Sequence, residues 1–285
     1  MKIWIFILIS SLFIVACSSV QPDLSSTQKK ILIHNQDGNK AFYANDYQEA
    51  LTQYNEALKI ALSVENFESI AISKINIAMV YRKMTDRAMA HKYVDSIISD
   101  SGLYNKSSIY SATLLKMMLL MDDNDFAQAN SMAETAISLC KETKCKSAGT
   151  VYNVIARIAI KNKDCKSAKK AANLGLELNK KYGDKNETAN SYRLLGDGAL
   201  LDSDNLGAAQ SYNQALIIDK AQGISEKVFM DLMGIGNSYF NQGEYKDALI
   251  YFKRAHSVSV NGNLSKELID AVSLMIDNTL AHFKQ

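Results

Sequence analysis

Small, apolar and acidic residues recur along the chain with a period of 39 or 40 residues. One alanine marks the register of each period: Ala50, Ala90, Ala129, Ala168, Ala208 and Ala248. Twelve residues before each alanine, and again seven residues after it, five of the six positions hold Gly or Ala. Four residues before each alanine there is always an acid. A period that holds its register for this long predicts a repeat architecture.

Each period predicts a helix, a tight turn and a second helix. Small residues seven positions apart lie on one helix face, where they let another helix approach closely. The acid follows a short polar turn such as Asn241-Gln242-Gly243, and it can cap the second helix and favour the positive end of its dipole. The acids are Asp46, Asp86, Asp125, Asp164, Asp204 and Glu244. Because β-branched residues do not alternate with polar ones, the pattern favours an all-α chain.

A further amphipathic stripe follows the last period. It consists of Leu264, Leu268, Val272, Met275, Leu280 and Phe283. The final repeat of a stacked array leaves an apolar face uncovered, so residues 263–285 are predicted to form a capping helix. A helix that binds a partner is the alternative interpretation.

The N-terminus has the pattern of a signal segment. Lys2 precedes fourteen apolar or small residues that end at Ala16. This stretch is shorter than the roughly 20 residues that a membrane span needs, and it is typical of a signal peptide. An uncleaved anchor helix is the alternative. Residues 17–29 are mainly polar and contain the only proline, which predicts a flexible tether.

The end of this segment, Ile14-Val15-Ala16-Cys17, resembles the lipobox of bacterial lipoproteins. The resemblance implies cleavage of residues 1–16 and lipidation of Cys17. Ser18 follows, where an Asp would be typical of retention at the inner membrane. The expected location is therefore the cell envelope, at the periplasmic face of the outer membrane.

Composition agrees with a helical chain and limits its functions. Hydrophobic residues make up 47% of the 285 residues, which is too many for a disordered protein. A single proline leaves few breaks in helices. The formal charge is only +2 and no basic block is present, so nucleic-acid binding is not expected.

Two stretches carry a family resemblance in detail. Residues 38–58 and 236–255 closely resemble the tetratricopeptide repeat, and the pattern extends over residues 30–262. The periods here are longer than the usual unit of 34 residues. The resemblance implies a right-handed superhelical solenoid of six helix-turn-helix repeats with a C-terminal capping helix. It also implies binding of proteins or peptides.

In this family the first helices line a concave groove where ligands usually lie. Spacing from the small residues maps candidate groove positions onto this chain. They are Asn35, Asn39, Arg82, Asn153, Arg157, Asn190, Arg193, Asn237, Phe240 and Asn241, with Tyr43, Met79, Lys161 and Asp197 beside them. Amides that bond a peptide backbone, together with guanidinium groups that bind carboxylates, suit an extended peptide or an acidic tail. The alternative is a merely solvated inner face.

The residues that could carry catalysis or bind a metal do not indicate an enzyme. The four histidines are scattered, and no nucleophile, cofactor motif or metal-ligand spacing is present. Cys140 and Cys145 can form a disulfide, a pairing that the sequence leaves open, whereas Cys165 is expected to be unpaired and buried. The leading interpretation is a lipid-anchored scaffold that helps an envelope complex to assemble. The alternative is a regulatory protein that changes shape on binding a short peptide.

Overall fold

The computed structural model describes residues 24–283, which contain thirteen α-helices, a single turn of 3-10 helix and no strand. The helices are α1 Ser26–Tyr43, α2 Tyr47–Ser63, α3 Phe67–Lys83, α4 Arg87–Ser99, α5 Lys106–Asp122, α6 Phe126–Thr143, α7 Ala148–Lys161, α8 Cys165–Tyr182, α9 Lys185–Leu201, α10 Asn205–Gln222, α11 Ser225–Asn241, α12 Tyr245–Asn261 and α13 Lys266–Ala281. The 3-10 turn, Ser101–Leu103, lies between α4 and α5. The first twelve helices form six hairpins, and α13 packs on α12. The all-α solenoid of six repeats predicted from the sequence is confirmed.

The first helices of successive repeats lie on the inner side of the solenoid. Each helix packs on its neighbours in the sequence, and in addition α1, α3, α5, α7, α9 and α11 contact one another in succession. Three adjoining cavities are also lined mainly by α1, α3, α5 and α7. These first helices therefore line a concave face.

The turn inside each repeat combines a left-handed residue with a helix cap. The residue before the acid has a positive φ in every repeat, as in Asn45 (φ 62°) and Gly243 (φ 78°). The five aspartates each accept a hydrogen bond from a backbone N–H three residues later, as Asp46 does from Glu49 at 3.1 Å. Glu244 occupies the same position without a side-chain cap, so the capping prediction is wrong there. The longer glutamate side chain is a poorer N-cap than aspartate.

The core shows size matching between the two helices of a repeat. Three of the small residues are glycines, and each faces an aromatic ring of the second helix: Gly38 faces Tyr54, Gly196 faces Tyr212, and Gly236 faces Phe252. The corresponding second-helix positions of the other repeats are Val94, Ala133 and Ala172, opposite Ala78, Met117 and Ala156. Except in repeat 4, where both positions hold alanine, a larger side chain on one helix accompanies a smaller one on its partner, as close packing requires.

The first helix begins earlier than the predicted tether allows. Helix α1 starts at Ser26, so residues 26–29 are helical and the tether prediction is wrong for them. The Ser25 side chain accepts from the Gln28 N–H at 3.2 Å, and the Gln28 side chain accepts from the Ser25 N–H at 2.9 Å. This reciprocal capping box explains why a polar stretch that reads as a tether starts a helix. The predicted signal peptide 1–16 and lipidated Cys17 lie outside the described residues.

The three cysteines downstream lie near the middle of the solenoid. Cys140 near the end of α6 and Cys145 in the following link form a disulfide, with Cα atoms 4.9 Å apart. Cys165 is unpaired but only partly buried, so the expected burial is wrong. It is the first residue of α8, and its thiol lies 3.7 Å from Asp202 near the repeat surface.

Candidate functional site

The concave face of repeats 1 to 4 forms a continuous groove. Three cavities of about 180, 210 and 200 Å³ adjoin one another along this face. The first two share Phe42 and Met79 as lining residues, and the second and third share Arg82 and Asp122. Two positions of each first helix, one and five residues after the small residue, line them. We call this surface the groove and define it by Asn39, Tyr43, Met79, Lys83, Met118, Asp122, Arg157 and Lys161, together with Phe42 and Arg82.

An ion pair crosses the floor of the groove. Arg82 on α3 donates from Nε to one carboxylate oxygen of Asp122 at 2.5 Å, and from a terminal nitrogen to the other at 3.1 Å. Both side chains are about one-third exposed. This two-point pairing fixes the guanidinium and neutralises its charge. Arg82 therefore lies in the groove as predicted, but its binding atoms already have a partner.

Three cations of the groove remain exposed. Lys83, Arg157 and Lys161 have no ion pair and donate no side-chain hydrogen bond within residues 24–283. Apolar groups lie beside them, since Tyr43 is 82% exposed and Met79 is 41% exposed. A surface that combines unpaired positive charge with exposed aromatic and thioether groups suits a segment that carries both acidic and apolar side chains.

Next to Arg157, the sequence also predicts Asn153 and Asn190 as groove residues, but their side chains bond to other residues of the protein. Asn153 is 3% exposed and donates to the Glu187 backbone carbonyl at 3.0 Å and to its carboxylate at 2.8 Å. Its carbonyl accepts from Ser191 at 2.7 Å, and Asn190 donates to the other Glu187 oxygen at 2.9 Å. Asn153 therefore joins α7 to α9, and the prediction that it faces a ligand is wrong, whereas the half-buried Asn190 bonds Glu187 within α9 and its predicted contact with a ligand stays a prediction.

Arg193 is likewise a buried structural group. It is 9% exposed and donates to Asp231 at 2.8 Å, to Asp219, and to the Asn190 side chain at 2.8 Å. Because a desolvated guanidinium needs nearby anions, this arginine ties α9 to α10 and α11 instead of facing solvent. The prediction that Arg193 binds a ligand is wrong.

Asp197 lies one turn further along α9, close to these groups. Its carboxylate accepts from the Tyr212 hydroxyl at 2.5 Å. Burial raises the pKa of Asp197, while the hydrogen bond from Tyr212 and the charges of Arg193, Arg157 and Lys161 act in the opposite direction. The position of Asp197 on the inner face agrees with the sequence, but its oxygen is committed to the core tyrosine.

The candidates Asn35 and Phe240 lie at the two ends of the concave face, and both contact neighbouring side chains. Asn35 is buried, donates to the Ile31 carbonyl and accepts from Asn76 at 3.3 Å. Phe240 packs against Tyr245 and against His282, which follows the capping helix, with ring centroids 5.3 and 5.5 Å away. Asn35 is therefore not free to contact a ligand as predicted, whereas Phe240 is half-buried and its predicted contact with a ligand stays a prediction.

Three predicted amides keep accessible surface. Asn39 is exposed although its oxygen accepts from Tyr54 at 2.7 Å, Asn237 is half-buried and Asn241 is exposed. Only Asn39 belongs to the groove of repeats 1 to 4. Asn237 and Asn241 lie near the C-terminal end of the concave face.

Sequence reasoning missed Lys83, Met118 and Asp122. They occupy the same two repeat positions as Met79, Arg157 and Lys161, so the register contained the signal. The sequence does not show that Asp122 faces Arg82, forty residues earlier.

The described residues contain no group of three His, Cys, Asp or Glu side chains that could hold a metal ion. Among the same residues, no helix combines the length and the hydropathy needed to cross a membrane.

Known proteins share this fold. A family model described as the tetratricopeptide repeat matches residues 232–260, whereas no curated protein has a significant sequence match to the chain. The apo form of RapI is 15% identical, with a TM-score of 0.69 over 89% of this chain and 72% of its own. PilF from Pseudomonas aeruginosa is 14% identical, with a TM-score of 0.58 over 90% of this chain and 99% of its own. NprR in complex with its cognate peptide NprX is 15% identical, with a TM-score of 0.57 over 90% of this chain and 78% of its own.

Proposed function

We propose that this chain, a tetratricopeptide-repeat solenoid, is a non-enzymatic protein that binds a partner protein or peptide in the groove of repeats 1 to 4. The observation that carries the proposal is the set of exposed, unpaired cations Lys83, Arg157 and Lys161. They form no ion pair within the described residues, so a carboxylate of a partner can bind them without breaking an existing one.

The chemistry of the groove narrows the class of partner. Tyr43 and Met79 lie at its N-terminal end, and Arg157 and Lys161 lie towards repeat 4. An extended segment with apolar side chains at one end and acidic side chains at the other matches this order. Apolar contacts then contribute affinity, while the charged contacts select the orientation.

The proposed site of action is the cell envelope. The lipobox-like sequence before Cys17 supports a lipid-anchored protein at the periplasmic face of the outer membrane. A lipid anchor fixes where the partner is gathered, which is a useful property for a scaffold that assists assembly of an envelope complex.

A peptide sensor is the second candidate. NprR, whose fold is similar, was solved with its cognate peptide, so a solenoid of this kind can hold a peptide. A sensor predicts tight binding of a free peptide and a change of solenoid pitch. A scaffold predicts a stable complex with another protein and little change in shape.

Crosslinking in cells, followed by affinity purification, tests the groove. The test variant is Arg157→Glu/Lys161→Glu on α7, and the matched control is Lys166→Glu/Lys170→Glu on α8 of the same repeat. All four side chains are exposed, so both variants make the same charge change without disturbing the core. We expect a partner to be captured by the native chain and the control and lost from the groove variant. Equal capture by both variants contradicts the assignment of the groove.

The anchor is tested separately by Cys17→Ala. We expect the native chain to carry lipid and to fractionate with membranes, and the variant to lose both properties. The measurement is the intact mass of the mature protein together with its membrane fractionation. A native mass without lipid, starting before residue 17, contradicts the proposed anchor and leaves the groove test unaffected.

A further inference from the structure

Two buried carboxylates share one guanidinium at the junction of repeats 5 and 6. Asp219 on α10 and Asp231 on α11 are both fully buried. Arg193 on α9 donates its Nε to Asp231 at 2.8 Å and a terminal nitrogen to Asp219. We call these three residues the buried triad.

The triad has one positive group for two acids. If both acids were ionised, one negative charge would be buried without a counter-charge, which is strongly unfavourable in a protein interior. One oxygen of each acid, Oδ1 of Asp219 and Oδ2 of Asp231, is buried and has no hydrogen-bond partner. A single proton placed between the two acids removes the excess charge and supplies the missing hydrogen bond.

The pKa shift agrees with this geometry. Burial, together with the neighbouring Asp219, raises the pKa of Asp231 to about 7 although Arg193 acts in the opposite direction. The raised pKa of Asp231 and the unpartnered oxygens of both acids point to the same place for the proton.

The other charged groups near α11 leave the excess charge in place. On α9, Asp197 bonds Tyr212 of α10 and adds negative charge, with Arg157 and Lys161 of α7 beyond it. On α10 the adjacent cation is Lys220, and on α12 the charged side chains are Lys246, Asp247, Lys253 and Arg254; all five are exposed. On α11 itself Glu226 is exposed, and Lys227 bonds Asn186.

We propose that Asp219 and Asp231 form a proton-binding site that makes the packing of repeat 5 against repeat 6 dependent on pH. While the proton is bound, the charges of the buried triad balance, and Arg193 holds α10 and α11 together through Asp219 and Asp231. Loss of the proton leaves a buried charge that favours opening of the junction to water. Arg193 also donates to Asn190, and Glu187 accepts from both Asn190 and Asn153 of α7, so the change extends to repeat 4.

The sign of the pH dependence follows from the pKa of Asp231 in the two states. This pKa is raised in the folded state above its value of about 4 in the unfolded chain, so the folded state binds the proton more tightly. Stability is therefore highest at the acidic end of the interval and falls as the pH rises from about 4 to about 7. Asp197, whose pKa is also raised, acts in the same direction.

The groups with lowered pKa act in a different interval. They are Glu142, Asp164, Asp202 and Glu267. They lose their stabilising effect only as the pH falls through their own folded values, at the acidic limit of the interval.

Urea unfolding at about pH 5 and about pH 8 tests the proposal with Asp231→Asn. Asparagine has the shape of the acid and cannot ionise, so it mimics the protonated state. We expect the native chain to lose stability between the two values, by up to about tenfold in the folding constant per pH unit. The Asp231→Asn chain should lose most of this dependence, while Asp270→Asn, an exposed site on α13, should follow the native chain.

Two further results keep the test decisive. If Asp231→Asn does not fold, Asp219→Asn replaces it, with the same expectation. The carboxyl carbon resonances of aspartate, measured by NMR across the pH range, should include one that titrates near neutral pH and disappears in the variant. An unchanged pH slope in the variant, or titration of every aspartate below about pH 5, overturns the proposal.

Discussion

The close approach of Gly196 to Tyr212 gives a sharp test of the packing within a repeat. A methyl group at position 196 would lie 2.8 Å from Cζ of the ring. The ring cannot yield easily, because a methyl group at Gly234 would lie only 2.6 Å from its other atoms and its hydroxyl is bonded to Asp197. Gly198, two residues further along α9, is the matched control. There a methyl group would lie 3.3 Å from the flexible Lys169 side chain.

The magnitude follows from two opposing contributions. Replacing a helical glycine by alanine stabilises a helix by about 1 kcal/mol, and this contribution is the same at both sites. Overpacking a well-filled core costs about 1–3 kcal/mol, and it applies only to Gly196→Ala. We therefore expect Gly198→Ala to stabilise the protein by about 0.5–1 kcal/mol and Gly196→Ala to destabilise it by about 0–2 kcal/mol.

Urea unfolding followed by circular dichroism measures both changes. Gly196→Ala combined with Tyr212→Leu should cost less than the sum of the two single changes, because the smaller side chain makes room for the methyl group. Equal effects of Gly196→Ala and Gly198→Ala, or strict additivity with Tyr212→Leu, would refute the size matching between the two helices.

Three other stability measurements follow from the structure. Glu244→Asp should stabilise the protein by about 0.5–1 kcal/mol, because the shorter side chain can form the cap that the other five repeats have; an unchanged unfolding midpoint would contradict this. Cys140→Ser/Cys145→Ser should lower stability by about 2 kcal/mol for so short a loop, whereas reducing agent should then have no further effect on the midpoint. Arg193→Leu should cost about 3–5 kcal/mol at neutral pH, since it leaves Asp219 and Asp231 buried without a cation; a loss below about 1 kcal/mol would contradict the buried triad.

The repeat register predicted most of the fold because the close packing of the helices requires small residues at fixed positions of each repeat. Gly38, Gly196 and Gly236 recur at one position since a second helix must approach there, and the aspartates recur since each second helix needs a cap. The start of α1 could also have been read from Ser25 and Gln28, which form a capping box within a polar stretch.

The site was predicted less well because the sequence does not show whether a polar side chain bonds to a neighbouring helix or faces solvent. Asn153 and Arg193 have the spacing of groove residues, yet each has partners on neighbouring helices that lie 34 to 38 residues away. Arg157 has the same spacing, belongs to no ion pair in the described part of the chain and stays exposed. Only the packing of successive repeats distinguishes these outcomes.

Site-specific photocrosslinking in cells tests whether a partner binds in the groove. A photoreactive residue is placed at Tyr43 or Met79, which are exposed in the groove, and at Lys170 on α8 as the control. We expect one partner to crosslink from both groove positions and not from the control. Crosslinking of that partner from Lys170 alone would contradict the claim that the concave groove of repeats 1 to 4 is the binding surface.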